Sequence, residues 1–151
     1  MKRWTSPPLP IPDLDTTTIS RADAVFTGVD HSAESYEARV YVGNQRANLE
    51  TGLDPERGYA GSFTIFGHGG CFGDGPDHCD PEKGYRDAFD VRPPHPLTPQ
   101  TKTVRITDAL KGPASGNQVY IPVVAVDNGG EEPKVSDAMD FAELRLLVYT
   151  D

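Results

Sequence analysis

A chain of 151 residues with a formal net charge of −9, 23 acidic against 14 basic residues, carries no basic run longer than Lys2-Arg3. This disfavours nucleic-acid binding, which needs clustered cations on phosphate. No window approaches the roughly 18 apolar residues of a spanning helix and the N-terminus lacks an apolar signal core, so the sequence predicts no membrane contact and a cytoplasmic protein, or one exported with a partner.

Residues 1–20, MKRWTSPPLPIPDLDTTTIS, hold four prolines and no hydrophobic period, which reads as an extended Pro-rich arm or linker. Trp4, the single tryptophan, sits in it and needs a surface to pack on: the edge of its own domain or a neighbouring one. Residues 21–151 read as one domain. Ala24, Phe26 and Gly28 begin a strand, and Asp30-His31-Ser32 forms a turn. From Ser35 to Val42, alternation puts Tyr36, Ala38, Val40 and Val42 on one face and Glu37, Arg39 and Tyr41 on the other. Gly43 to Arg57 is turn-rich and leads into a strand at Ala60 to Phe66, with Phe63 and Ile65 on one face and Thr64 and Phe66 on the other.

After the 67–99 stretch, Lys102 to Thr107 resumes a strand with Val104 and Ile106 inward. Asp108 to Lys111 reads as one helical turn, with Thr107 as its N-cap and Gly112 as its stop. Asn117 to Val126 is apolar on both faces, as in a central strand, although Pro122 removes a ladder donor and argues for an edge or a bulge. Met139 to Tyr149 alternates with Ala142, Leu144, Leu146 and Val148 inward. The expected fold is all-β: an antiparallel sandwich or jelly-roll-like barrel of six to seven strands with one short helical turn.

The segment 67–99 is a Gly/Cys/His-rich loop with little periodicity, and loops of that length tend to be functional or cross-linked. It holds both cysteines and three of the four histidines. His68, Cys71, His78 and Cys79 bring two imidazoles and two thiols within about a dozen residues, a donor set suited to Cu(I) or zinc, and His95 adds a possible fifth ligand. Three readings stay open: a metal site, a Cys71–Cys79 disulfide, or reduced structural thiols. The run Gly67-His68-Gly69-Gly70 is similar to an esterase oxyanion loop but has no partner serine in an elbow context. Acidic pairs such as Asp137 with Asp140, or Glu131 with Glu132, read as solvated loop charges.

The segments AVFTGVDHS, YEARVYVGN, GYAGSFTIFGHG, TKTVRITDALKG and NQVYIPVVAV, in that order, resemble the C-terminal β-domain of the type-3 copper polyphenol oxidase and tyrosinase family, over about residues 20–127. A dicopper site of that family takes six histidines from a helical bundle, whereas this chain has four in all and none in a helical pattern. The resemblance therefore implies a non-catalytic accessory domain whose partner is a type-3 copper oxidase domain or subunit. It implies shielding of the dicopper site, with Phe66 or Phe72 as a plug, or copper delivery through His68, Cys71, His78 and Cys79. The arm with Trp4 and the loop face would then make the partner contact. Two other readings remain: a small mononuclear copper or zinc metalloenzyme at the loop ligands, and a disulfide-stapled sandwich binding peptide or sugar through Tyr59, Phe72 and Tyr85.

Overall fold

The computed structural model describes residues 1–11, 18–67, 89, 97–111, 118–134 and 138–150. Its strands are β1 (Arg3–Thr5), β2 (Leu9–Pro10), β3 (Ile19–Val29), β4 (Tyr36–Tyr41), β5 (Tyr59–Ile65), β6 (Gln100–Arg105), β7 (Gln118–Val119), β8 (Pro122–Val126) and β9 (Glu143–Thr150), with a 3-10 turn at Pro55–Arg57 and a short α-helix, α1 (Thr107–Lys111). All pairings are antiparallel. They build a four-stranded sheet in the order β1-β8-β4-β5, a three-stranded sheet β6-β3-β9 and a small β2-β7 ribbon. The all-β sandwich expected from the alternation is what forms.

Period-two patterning explains the core. Tyr36, Ala38 and Val40 of β4, Phe63 and Ile65 of β5, and Val123 and Ala125 of β8 face Ala22, Ala24 and Phe26 of β3 and Val104 of β6 in one buried cluster. Phe26 sits at its centre, 5.0 Å from the Phe63 ring and 5.2 Å edge-on from Phe141. Burying a side chain of that size stabilises the fold by about 1.5–3 kcal/mol. The outer face of the larger sheet is covered in turn: Tyr41, Val124 and Val126 pack with Ala47 and Leu49 of the turn-rich 43–58 segment. Tyr41 donates its hydroxyl proton to the Thr51 carbonyl at 3.0 Å, tying that segment down.

Three details differ from the sequence expectation. The 1–20 stretch contributes strands β1 on β8 and β2 on β7 rather than a strandless arm; its Trp4 ring packs edge-on against Phe141 at 4.9 Å, the own-domain surface that was one of its two expected positions. The 117–126 run is split at Tyr120-Ile121, so Pro122 opens β8 instead of interrupting a ladder; β8 itself lies between β1 and β4. Thr107 does not serve as an N-cap. Its Oγ1 accepts the Ala22 backbone N–H at 3.0 Å, clasping α1 to β3. Gly112, the expected stop, lies outside the described residues.

Candidate functional site

The site is built at the end of β5. Phe63 and Ile65 anchor the strand in the core, so alternation directs Phe66, the next residue on the opposite face, outward; it is 82% exposed. A large apolar ring left that far in water on a rigid strand end is an unusual use of a phenylalanine. Immediately after it the chain passes so close to the neighbouring turn that only glycine fits. A Cβ at Gly67 would collide with the Ala33 carbonyl oxygen and the Glu34 backbone. Ser35 Oγ accepts the Gly67 N–H at 3.0 Å and fixes this approach.

The same turn holds the other root of the long segment. His31 is buried, and its Nε2 lies 3.0 Å from the Thr98 carbonyl oxygen. A carbonyl oxygen only accepts, so Nε2 carries the proton in this contact. Asp30 shapes the turn by accepting from the Ser32 N–H at 3.1 Å and the Ser32 hydroxyl at 2.7 Å. Its own N–H donates to the Asp140 carbonyl at 3.0 Å, which joins the turn to the segment leading into β9. Residues 30–35 therefore clamp the chain where it leaves at Gly67 and where it returns at Thr98, and both ends of the intervening segment issue from one end of the sandwich.

Tyr36 opens β4 directly after this turn; the whole residue is buried, yet among the described residues its hydroxyl has no hydrogen-bond partner. Its pKa is pushed far above the usual phenol value, first by burial and then by the negative charges of Asp30 and Asp140. The phenol stays neutral there.

His68, Cys71, Phe72, His78, Cys79, Tyr85 and His95, named from the sequence as metal ligands, disulfide partners, plug or contact residues, lie outside the described residues. Of the other sequence candidates, Phe66 directly follows the end of β5, whereas Trp4 is partly buried and packs against the core cluster on Phe141. Tyr59 begins β5 and so lies roughly 20 Å from its loop end, with its ring 5.7 Å from that of Tyr41. Among the described residues no group of three or more His, Cys, Asp and Glu side chains is arranged to hold a metal. His31, Ser35 and Tyr36 were not candidates from the sequence. Asp30-His31-Ser32 announces a turn, but its pairing with Thr98, 67 residues further on, leaves no local signal.

No family model matches the sequence, and no curated protein matches it. Solved structures do match the fold. Recombinantly expressed latent aurone synthase, a polyphenol oxidase, superposes with a TM-score of 0.55 at 11% identity, covering 99% of this chain and 25% of that one. The same protein co-crystallized with hexatungstotellurate(VI) gives 0.56 at 11% identity, covering 99% and 24%. Latent aurone synthase from its natural source gives 0.54 at 11%, covering 98% and 24%. At that identity the likeness is one of fold, and the chain spans about a quarter of the length of those proteins. Among the described residues no helix is long and apolar enough to cross a membrane.

Proposed function

We infer that this chain is a non-catalytic accessory domain for a type-3 copper oxidase of the polyphenol oxidase kind, acting on a separate catalytic domain or subunit. The observation that supports this most is the match of 99% of the chain to a quarter of a polyphenol oxidase, a share that leaves the remainder of that protein unrepresented here.

Two roles follow for the loop end of the sandwich. In the shielding role, Phe66 projects from a strand end whose neighbours Phe63 and Ile65 are fixed in the core, so its ring can enter an apolar opening without ordering a flexible segment first. A ring seated at the mouth of an oxidase pocket keeps phenolic substrates out. Phe72 is the other candidate for that position. In the delivery role, Cys71 and Cys79 with His68 and His78, and His95 as an additional donor, hold Cu(I). Thiolate and imidazole donors suit Cu(I), with zinc as the competing ion. The clamp at Ser35 and His31 gives that segment two fixed ends.

The two roles are tested separately. Added to the catalytic domain of an aurone synthase freed of its own C-terminal part, the purified chain is expected to inhibit diphenol oxidation saturably, and Phe66→Asp is expected to relieve the inhibition. Undiminished oxidation at saturating chain removes shielding. Competitive titration of the reduced chain with Cu(I) is expected to reveal binding that Cys71→Ser with Cys79→Ser abolishes; no competition from the wild-type chain removes delivery.

A further inference from the structure

Sheet edges are templates for further strands, and proteins usually blunt them. Among the described residues four edges flank the two main sheets, and three are blunted. β1 is three residues long. β5 carries a bulge between Tyr59 and Gly61, it packs beside β6, and a Cβ at Gly61, whose φ is 141°, would lie 3.0 Å from Val104. The β5 and β6 edges thus lean on each other and close one side of the sandwich.

β9 has none of these devices. It is eight residues long, contains no proline and runs without a register break from Glu143 to Tyr149 on β3. Its last five residues, Leu146 to Thr150, are uncharged, and Val148, Tyr149 and Thr150 among them have high β propensity. Among the described residues no strand pairs with its outer side. There a groove of about 380 Å³ runs between Pro10 and Leu146 to Tyr149. Leu144, Leu146 and Val148 face the core but are only half-buried, and Leu147 and Tyr149 on the other face are 41% and 48% exposed.

We propose that β9 is a homodimer interface, in which it pairs antiparallel with β9 of a second copy about a two-fold axis at Leu147 and joins the two three-stranded sheets into one of six. The self-complementarity of the strand selects this occupant. With Leu147 on the axis, Arg145 stands opposite Tyr149 of the second copy. Within one chain, Arg21 is already directly opposite Tyr149, its guanidinium 5.8 Å from the ring centroid. Each Tyr149 ring is thereby flanked by guanidinium groups on both sides, an arrangement its electron-rich face favours. Leu147 meets Leu147 and Leu146 meets Val148 across the pair. The interface is isologous and leaves no further edge open on that side.

Sedimentation equilibrium from micromolar to millimolar concentration is expected to give a monomer–dimer equilibrium. Leu147→Lys, a surface change that brings two ammonium groups together on the axis, is expected to raise the dissociation constant by about tenfold or more while circular dichroism stays unchanged. Amide hydrogen exchange of the wild-type chain supplies a second readout, with protection within residues 143–150 increasing as concentration rises. A chain that stays monomeric to millimolar concentration overturns the proposal. So does a dimer indifferent to Leu147→Lys whose added protection falls outside β9.

Discussion

The Gly67 N–H donates to Ser35 Oγ at 3.0 Å at a point where the Gly67 Cα lies against the backbone of Ala33 and Glu34. The hydrogen bond and the missing Cβ are two parts of one clamp. Gly67→Ala puts a methyl group into backbone that has no flexible side chain to yield, and is expected to lower unfolding stability by about 2–3 kcal/mol. Ser35→Ala removes the acceptor of a part-buried N–H and is expected to lower it by about 1–2 kcal/mol. Urea unfolding measures both. An unchanged midpoint for Gly67→Ala would show that the turn is not closed on β5.

Tyr36 predicts a pH dependence. Its folded pKa lies above the unfolded value of about 10, so between the two the unfolded chain has lost a proton that the folded chain retains. Stability is therefore fully present below pH 10 and falls as pH rises above it, by up to about 1.4 kcal/mol per pH unit from this residue. Tyr41, whose pKa is also raised by burial, adds a slope of the same sign. Tyr36→Phe deletes a buried hydroxyl that has no partner among the described residues. It is expected to leave neutral-pH stability unchanged or slightly raised and to flatten the alkaline fall. Thermal unfolding across pH 8 to 11 decides this, and a variant as alkali-sensitive as wild type would contradict it.

What the sequence made legible is what period-two alternation encodes. Tyr36, Ala38 and Val40 opposite Glu37 and Arg39, or Phe63 and Ile65 opposite Thr64 and Phe66, announce both a strand and its buried face, and the structure places them so. β1 and β2 were not legible, because they are only three and two residues long, β2 is set among prolines, and both are strands only by virtue of their partners β8 and β7. The same holds at the candidate site. The outward Phe66 follows from alternation, but the clamp depends on His31 meeting Thr98 and Ser35 meeting Gly67, contacts between segments far apart in sequence. A serine in a turn looks alike whether its hydroxyl faces water or holds the root of a loop.

Trp4 makes the docking of the N-terminal stretch measurable without any substitution. It is the only tryptophan, and its ring packs edge-on against Phe141, which in turn contacts Phe26 at the centre of the core. With β1 hydrogen-bonded along β8, the stretch is expected to unfold with the rest of the domain. Tryptophan fluorescence and far-ultraviolet circular dichroism should then trace coincident urea transitions. A fluorescence change at lower urea would mean that residues 1–5 detach as a separate unit.

Thr107 separates two roles that look the same in sequence. An N-cap accepts an N–H from its own helix, so Asp in its place would serve as well or better. The Thr107 hydroxyl instead accepts the N–H of Ala22, a residue of β3 that is fully buried, and the Ile106 N–H donates to the Ala22 carbonyl at 2.8 Å beside it. Thr107→Val keeps the shape and leaves the Ala22 N–H unsatisfied in the core, at an expected cost of about 1–3 kcal/mol. Thr107→Ser keeps the acceptor and is expected to recover most of that loss. Thr107→Asp brings a charge into a buried contact and is expected to destabilise at neutral pH at least as much as Val does. Denaturant midpoints of the three variants test this ranking, and Asp ranking above Val would return Thr107 to the helix cap that its position first suggests.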